Sequence, residues 1–280
     1  MKKFLAVFDG YKISDSTLQY AIELTKLADA HLVGVFLEEF IYRNYNVYEV
    51  ITTVINYEKE ILKLDAKDKE TRDQSVKRFE DVCREAGIDF SVHRDTSIAL
   101  QELKLESMFA DLILINEHES FTVKKESSPT HFMKDLLGDV QCPVIVVPDK
   151  FQKPEKIVLL YDGRPSCLFA LKMFSYLFSA LKEIPIEVFS VQEDGQLHNN
   201  LPESVLMREF MERHFPTAQL VIKYGNPEKE IPTYLKSNTA NIMLVLGAYR
   251  RNEMSRFFKV SMADILQKEL DVPLFIAHNK

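Results

Sequence analysis

The sequence predicts an α/β protein of two tandem doubly wound domains, each with a mainly parallel five-stranded sheet and helices on both faces. Three observations predict it. Short apolar runs alternate with longer amphipathic stretches along the chain, the order that right-handed βαβ crossovers produce. Several runs are apolar without interruption, as strands covered on both faces are. The chain also repeats itself: Lys3-Phe4-Leu5-Ala6-Val7-Phe8-Asp9-Gly10 returns as Lys156-Ile157-Val158-Leu159-Leu160-Tyr161-Asp162-Gly163, an offset of 153 residues. Cys142-Pro143-Val144-Ile145-Val146-Val147-Pro148 returns as Val272-Pro273-Leu274-Phe275-Ile276-Ala277-His278, an offset of 130. The order is shared and the length is not, so the predicted domains are 1–150 and 151–280, the first with a middle region 23 residues longer.

The elements follow in order. Residues 3–8 read as a buried strand ending in Asp-Gly. Ser14, Asp15 or Ser16 can cap a helix whose Leu18, Ala21, Ile22, Leu24, Thr25 and Ala28 recur at three- and four-residue spacing. A strand at 31–37, a long helical pattern to Gly87, a strand at 88–93, a helix at 98–109, a strand at 111–116, a helix at 129–138 and a strand at 143–147 complete the first unit. The second gives strands at 157–161, 185–191, 218–223, 241–246 and 273–277, with helices at 165–181, 202–214, 227–237 and 261–270 between them.

The additional residues lie between the second and third strands. Phe40, Ile41, Tyr42, Tyr45, Val47, Tyr48 and Val50 make an aromatic segment, read first as packing over the sheet edge and second as a lid or docking patch. From Asp65 to Ser75 almost nothing is apolar, so that stretch of helix is expected to project into solvent.

Composition excludes several classes. Glycine is scarce, 8 of 280 residues, and none falls in G-x-G-x-x-G or G-x-x-x-x-G-K-[ST]. A Rossmann dinucleotide loop and a Walker loop are out. The formal net charge of −7 argues against a basic nucleic-acid face. That charge is uneven: residues 1–150 carry 19 Lys+Arg against 27 Asp+Glu, and residues 151–280 carry 16 against 15, so the second half is the better host for an anion. Cys83, Cys142 and Cys167 are far apart, which suits buried thiols in a reducing, cytoplasmic setting rather than disulfides or zinc. Asp9 cuts the first apolar run short of a signal-peptide core, and no apolar stretch is long enough to span a membrane. No paired-histidine metal motif and no nucleophile signature is present, so no metal, no catalytic residue and no enzymatic activity are expected.

With strand-Asp-Gly-helix opening each unit and an x-Pro-apolar strand closing it, the chain resembles the universal stress protein family in its tandem form over essentially its whole length. The resemblance implies a five-stranded unit that pairs through its last strand, so the closing strands at 144–147 and 274–277 are expected to meet within one chain as an internal pseudo-dimer, with a homodimer as a further option. It also implies ATP-binding and non-binding classes, the former carrying G-x2-G-x9-G-[ST] after the fourth strand. In the second unit Gly247 matches the first glycine, Arg250 stands at the second, Val260 at the third, and Ser261 keeps the hydroxyl. In the first unit the same positions hold Glu117, Ser120, Thr130 and His131, and no ATP site of that kind is expected.

Two readings of the second unit stay open. Arg250, Arg251, Arg256 and Lys259 against Glu253 lead to a helix start at Ser261, a setting for an anion. Alternatively those cations are solvated and Ser261 with Asp264 only begins a helix. Asp162 matches the family's adenine-facing aspartate and is otherwise a turn-capping residue. His118 and His131 flank the acidic loop of the first unit, where a pH-sensing role competes with plain surface exposure. The leading expectation is a non-catalytic stress-response protein acting through an unknown protein partner, without nucleic acid or membrane. Its nucleotide or anion binding is residual and confined to the second domain, at Asp162, Gly247, Arg250 and Ser261. The alternative is an ATP-binding switch with slow or no hydrolysis, its adenine nucleotide in the second domain.

Overall fold

Apolar β-branched runs and capped amphipathic stretches become strands and helices nearly where the pattern puts them. The structure, a computed structural model, describes residues 1–37, 45, 47–95, 98–121, 126–192, 203–238, 240–247 and 262–277. In residues 1–150, the first half, the strands are β1 (Lys2–Asp9), β2 (Ala30–Leu37), β3 (Phe90–Asp95), β4 (Leu112–Asn116) and β5 (Val144–Val147). The helices there are α1 (Asp15–Ala28), α2 (Val47–Thr53), α3 (Tyr57–Ala86), α4 (Ala99–Ser107) and α5 (His131–Asp139). In the second half they are β6 (Lys156–Leu160), β7 (Ile186–Gln192), β8 (Gln219–Tyr224), β9 (Ile242–Gly247) and β10 (Leu274–Ala277), with α6 (Pro165–Leu177), α7 (Ser204–His214), α8 (Pro227–Lys236) and α9 (Met262–Glu269).

All ten strands form one sheet in the order β3-β2-β1-β4-β5-β10-β9-β6-β7-β8. Within each half the pairing is parallel. The halves join where β5 and β10 run antiparallel, with Leu274 opposite Val146, Phe275 opposite Ile145 and Ile276 opposite Val144. The tandem doubly wound α/β architecture is therefore as the sequence reads.

Side-chain alternation divides the interior into two layers. Phe4, Ala6 and Phe8 of β1 face a core completed by residues of α1, α3, α6 and α7, whereas Leu5 and Val7 face one completed by α4, α5, α8 and α9. Local chemistry sets the helix ends: the Ser14 hydroxyl accepts from Thr17 N to start α1, and Thr130 does the same for Met133 N at α5. Gly34 of β2 leaves room for the buried Phe79 ring, which a Cβ there would approach to 2.7 Å.

The structure departs from the sequence reading at three places. The long helical pattern is two helices, α2 and α3, broken after Thr53. The helix read over 165–181 ends at Leu177, and a 3-10 turn, Ser179–Glu183, follows a non-helical Phe178. The polar part of α3 does not simply project: Asp65 accepts from the Tyr45 hydroxyl at 2.7 Å, and Asp68 from the Tyr11 hydroxyl at 3.1 Å. Of the aromatic segment, Phe40, Ile41 and Tyr42 lie outside the described residues. Tyr45, Val47 and Val50 are half-buried, whereas Tyr48 stands exposed, as do the neighbouring Ile51 and Ile55. No described helix is long and apolar enough to cross a membrane.

Candidate functional site

In an open α/β sheet, loops diverge where strand order reverses, and ligands bind at the carboxyl ends there. The reversal lies between β1 and β4 in the first half and between β6 and β9 in the second.

In the second half, Asp162 follows β6 and folds back on its own turn. Its Oδ1 accepts from Arg164 N at 2.9 Å, its Oδ2 is 3.6 Å from Arg164 Nε, and Gly163 takes φ +80. Pro165, suited to a first helical position, then opens α6. Cys167 donates its thiol to Arg164 O at 2.9 Å, and burial with the Asp162 charge pushes that thiol up to about 12, so it is no thiolate at neutral pH.

Gly247 ends β9 beside this turn. A Cβ on it would lie 2.3 Å from the Ser166 carbonyl carbon and 2.4 Å from Cys167 N. The missing side chain is thus accounted for by main chain of α6 pressed against the strand. Arg250 and Ser261, the remaining sequence candidates, lie outside the described residues, as do Arg251, Arg256 and Lys259. Asp162 and Gly247 are brought together, one on each side of the first turn of α6.

The first half is built from charge. Asp9 Oδ1 accepts from Tyr11 N at 2.7 Å, the hydrogen bond that Asp162 makes to Arg164 N, here without a positive φ at the glycine between. Arg72 of α3 lies over the Tyr11 ring at 4.3 Å and donates to its hydroxyl at 2.5 Å. Beyond β4, Asn116 Oδ1 accepts from His118 N at 2.9 Å and its Nδ2 donates to Asp149 at 3.2 Å. Glu119 O accepts from the Thr130 hydroxyl at 2.6 Å.

Two carboxyls here are displaced upward. Burial, then the Asp271 and Asp149 charges, raise Glu117 to about 7. Burial, then Asp9, raise Glu119 to about 8 against the opposing pull of Lys12. A polyphosphate would face the Asp9 and Asp149 carboxylates at this edge, with Lys12 the cation drawn to Glu119. His118 Nε2 stands 3.6 Å from Asp149 and 3.7 Å from Glu117.

The sequence reading placed Glu117 and Glu119 in this loop but missed Tyr11, Asp68, Arg72, Asp149 and Asp271. The one local signal was Tyr11, two residues past the strand-ending aspartate. Among the described residues no group of three or more metal-ligating side chains converges, and the Cys83, Cys142 and Cys167 thiols are free and buried.

No protein-family model matches the sequence. A universal stress protein of Synechocystis sp. is 20% identical over 142 residues, which is 51% of this chain and 49% of that protein, so the match spans about half of the curated relative. Among solved structures, a universal stress protein from Archaeoglobus fulgidus DSM 4304 matches with a TM-score of 0.68 at 17% identity, over 99% of this chain and 98% of that one. A putative universal stress protein from Pseudomonas aeruginosa UCBPP-PA14 matches with a TM-score of 0.60 at 15% identity, over 99% of this chain and 92% of that one. At such identities the likeness is one of fold.

Proposed function

We propose that this chain, which carries the universal stress protein fold twice in tandem, is a non-catalytic stress-response protein that acts through protein contacts and binds nucleotide or another anion at most in its second half. One observation carries the reading. The crevice of the first half is lined by Asp9 and Asp149, whose charges repel a phosphate, and by the raised carboxyls of Glu117 and Glu119, which offer it no positive partner. In the second half Gly247 stands where Glu117 stands in the first, and the sequence at 250–259 is basic. The exposed Tyr48, Ile51, Ile55 and Leu62 of α2, α3 and the turn between them support action through protein contacts. Three free, buried thiols support a cytoplasmic setting.

Titration of ATP–Mg²⁺ and of inorganic phosphate into wild type and Arg250→Glu tests the reading. Weak binding that Arg250→Glu reduces by at least about tenfold, roughly 1.4 kcal/mol, is the expected result. Equal affinities in the two proteins refute the anion site. Adenine nucleotide retained stoichiometrically through purification replaces this reading with an ATP-binding switch.

A further inference from the structure

The loop after β4 is held in place by groups whose charges disagree with it. Four stretches of chain bring ionisable side chains to the Glu117 and Glu119 carboxyls: Asp9 and Lys12 from the turn after β1, Asp149 from the segment after β5, Asp271 from the turn before β10, and His118 from the loop itself. Glu126, on the approach to α5, is turned to His131 N at 2.8 Å. The Glu117 side chain is only 12% exposed, and Lys12 is the cation that opposes the carboxylates at Glu119.

At its far end the loop carries Phe121. That residue is 3% exposed, its ring 4.5 Å from Phe132, with its backbone at φ +50. A bulky residue in that region is strained and stays there only while its surroundings hold it.

We propose that residues 117–121 are a proton-operated latch: with Glu117 and Glu119 protonated the loop stays seated and Phe121 stays buried on Phe132, and when both ionise, repulsion from Asp9, Asp149 and Asp271 releases the loop and exposes Phe121. The latch stands independently of any anion in the second half. It gives the carboxyl edge of the first half a response to acidity.

The direction follows from the two carboxyls, raised to about 7 and about 8 in the seated loop from the ordinary 4.5. The seated loop binds more protons than the released one. Seating is therefore fully favoured below about pH 4.5, weakens as pH rises through 7 and 8, and changes no further above that.

The chain contains no tryptophan, so Phe121→Trp places a single reporter on the loop. Its indole emission and its quenching by neutral acrylamide are read in the full-length chain across about pH 5 to pH 9, with far-ultraviolet circular dichroism recorded alongside. The expected result is a red shift and at least about a tenfold growth of the released population over that range, at constant secondary structure, since one pH unit within the window changes the ratio by up to tenfold per carboxyl. Adding Glu117→Gln and Glu119→Gln holds the indole buried throughout. An indole that stays buried at every pH, or a double-glutamine variant that responds like its parent, overturns the latch. Should Phe121→Trp not fold, Phe132→Trp reports the same contact from the other side, with the same two overturning outcomes.

Discussion

The two halves share a strand order and a two-layered core, yet they close their carboxyl edges by opposite means. In the first half side-chain charge does it, with Glu117 and Glu119 after β4 facing Asp9, Asp149 and Asp271. In the second half main chain does it, Gly247 lying flat against Ser166 and Cys167 at the start of α6. Position 117 and position 247 are equivalent in the repeat, one a carboxylate and the other a residue with no side chain at all. Apolar alternation fixes a sheet, whereas the loops at its carboxyl end answer to whatever the site must do. The opposite end of the sheet repeats the lesson. Lys3 and Lys156 are equivalent, but Lys3 pairs with Glu106 of α4 at 3.1 Å, and Lys156 with Glu187 of β7 at 2.7 Å.

Paired substitutions in the two halves sharpen or break this comparison. The largest effect is expected in the shared part. Leu5 and Leu159, fully buried strand residues of the two halves that face opposite core layers, should each lose about 2–5 kcal/mol on change to alanine, as measured by denaturant unfolding. A loss under about 1 kcal/mol at either would show that its strand is not a fully packed core strand.

A smaller, one-sided effect is expected at the edges. Gly247→Ala must push its new methyl into α6 and should cost about 1–3 kcal/mol. Glu117→Ala, at the matching place, should leave stability unchanged or raise it at about pH 8, where a raised carboxyl is costly when charged. Thermal unfolding of the pair at one pH decides between them, and equal losses would erase the contrast.

The smallest difference is expected at the lysines. Lys156→Met strands Glu187, 6% exposed, with only the Tyr234 hydroxyl at 2.6 Å, and should cost roughly 1–3 kcal/mol. Lys3→Met leaves Glu106 with its hydrogen bond to His93 and should cost below about 1 kcal/mol. A double-mutant cycle with Glu187→Gln and Glu106→Gln measures both couplings.

Most of the sheet was legible because a buried strand is a local property: Val144–Val147 and Leu274–Ala277 declare themselves in four residues each. The cap at Ser14 and the turn at Asp162 were likewise readable from neighbours alone. What escaped was nonlocal and polar. Nothing near Tyr11 announces Arg72, 61 residues away, so a stretch of α3 with no apolar face looked unsupported when hydrogen bonds hold it. The break after Thr53 was hidden for a related reason, since the pattern on each side of it is helical. The acidity of the first edge was visible in Glu117 and Glu119. Its strength was not, because Asp149 and Asp271 come from other parts of the chain. Of the anion candidates, Asp162 and Gly247 have places in the fold, while Arg250 and Ser261 rest on sequence alone.

The junction of β5 with β10 has a consequence for how the protein behaves on dilution. Its three pairs of facing residues belong to one chain, so each closing strand meets its partner at a local concentration on the order of millimolar, however little protein the cell holds. Two separate chains joined through the same strands would part as they became scarce, and every change in one copy would appear twice across the axis. Tied into a single polypeptide, the junction is insensitive to abundance, and either half is free to give up a feature that its counterpart keeps.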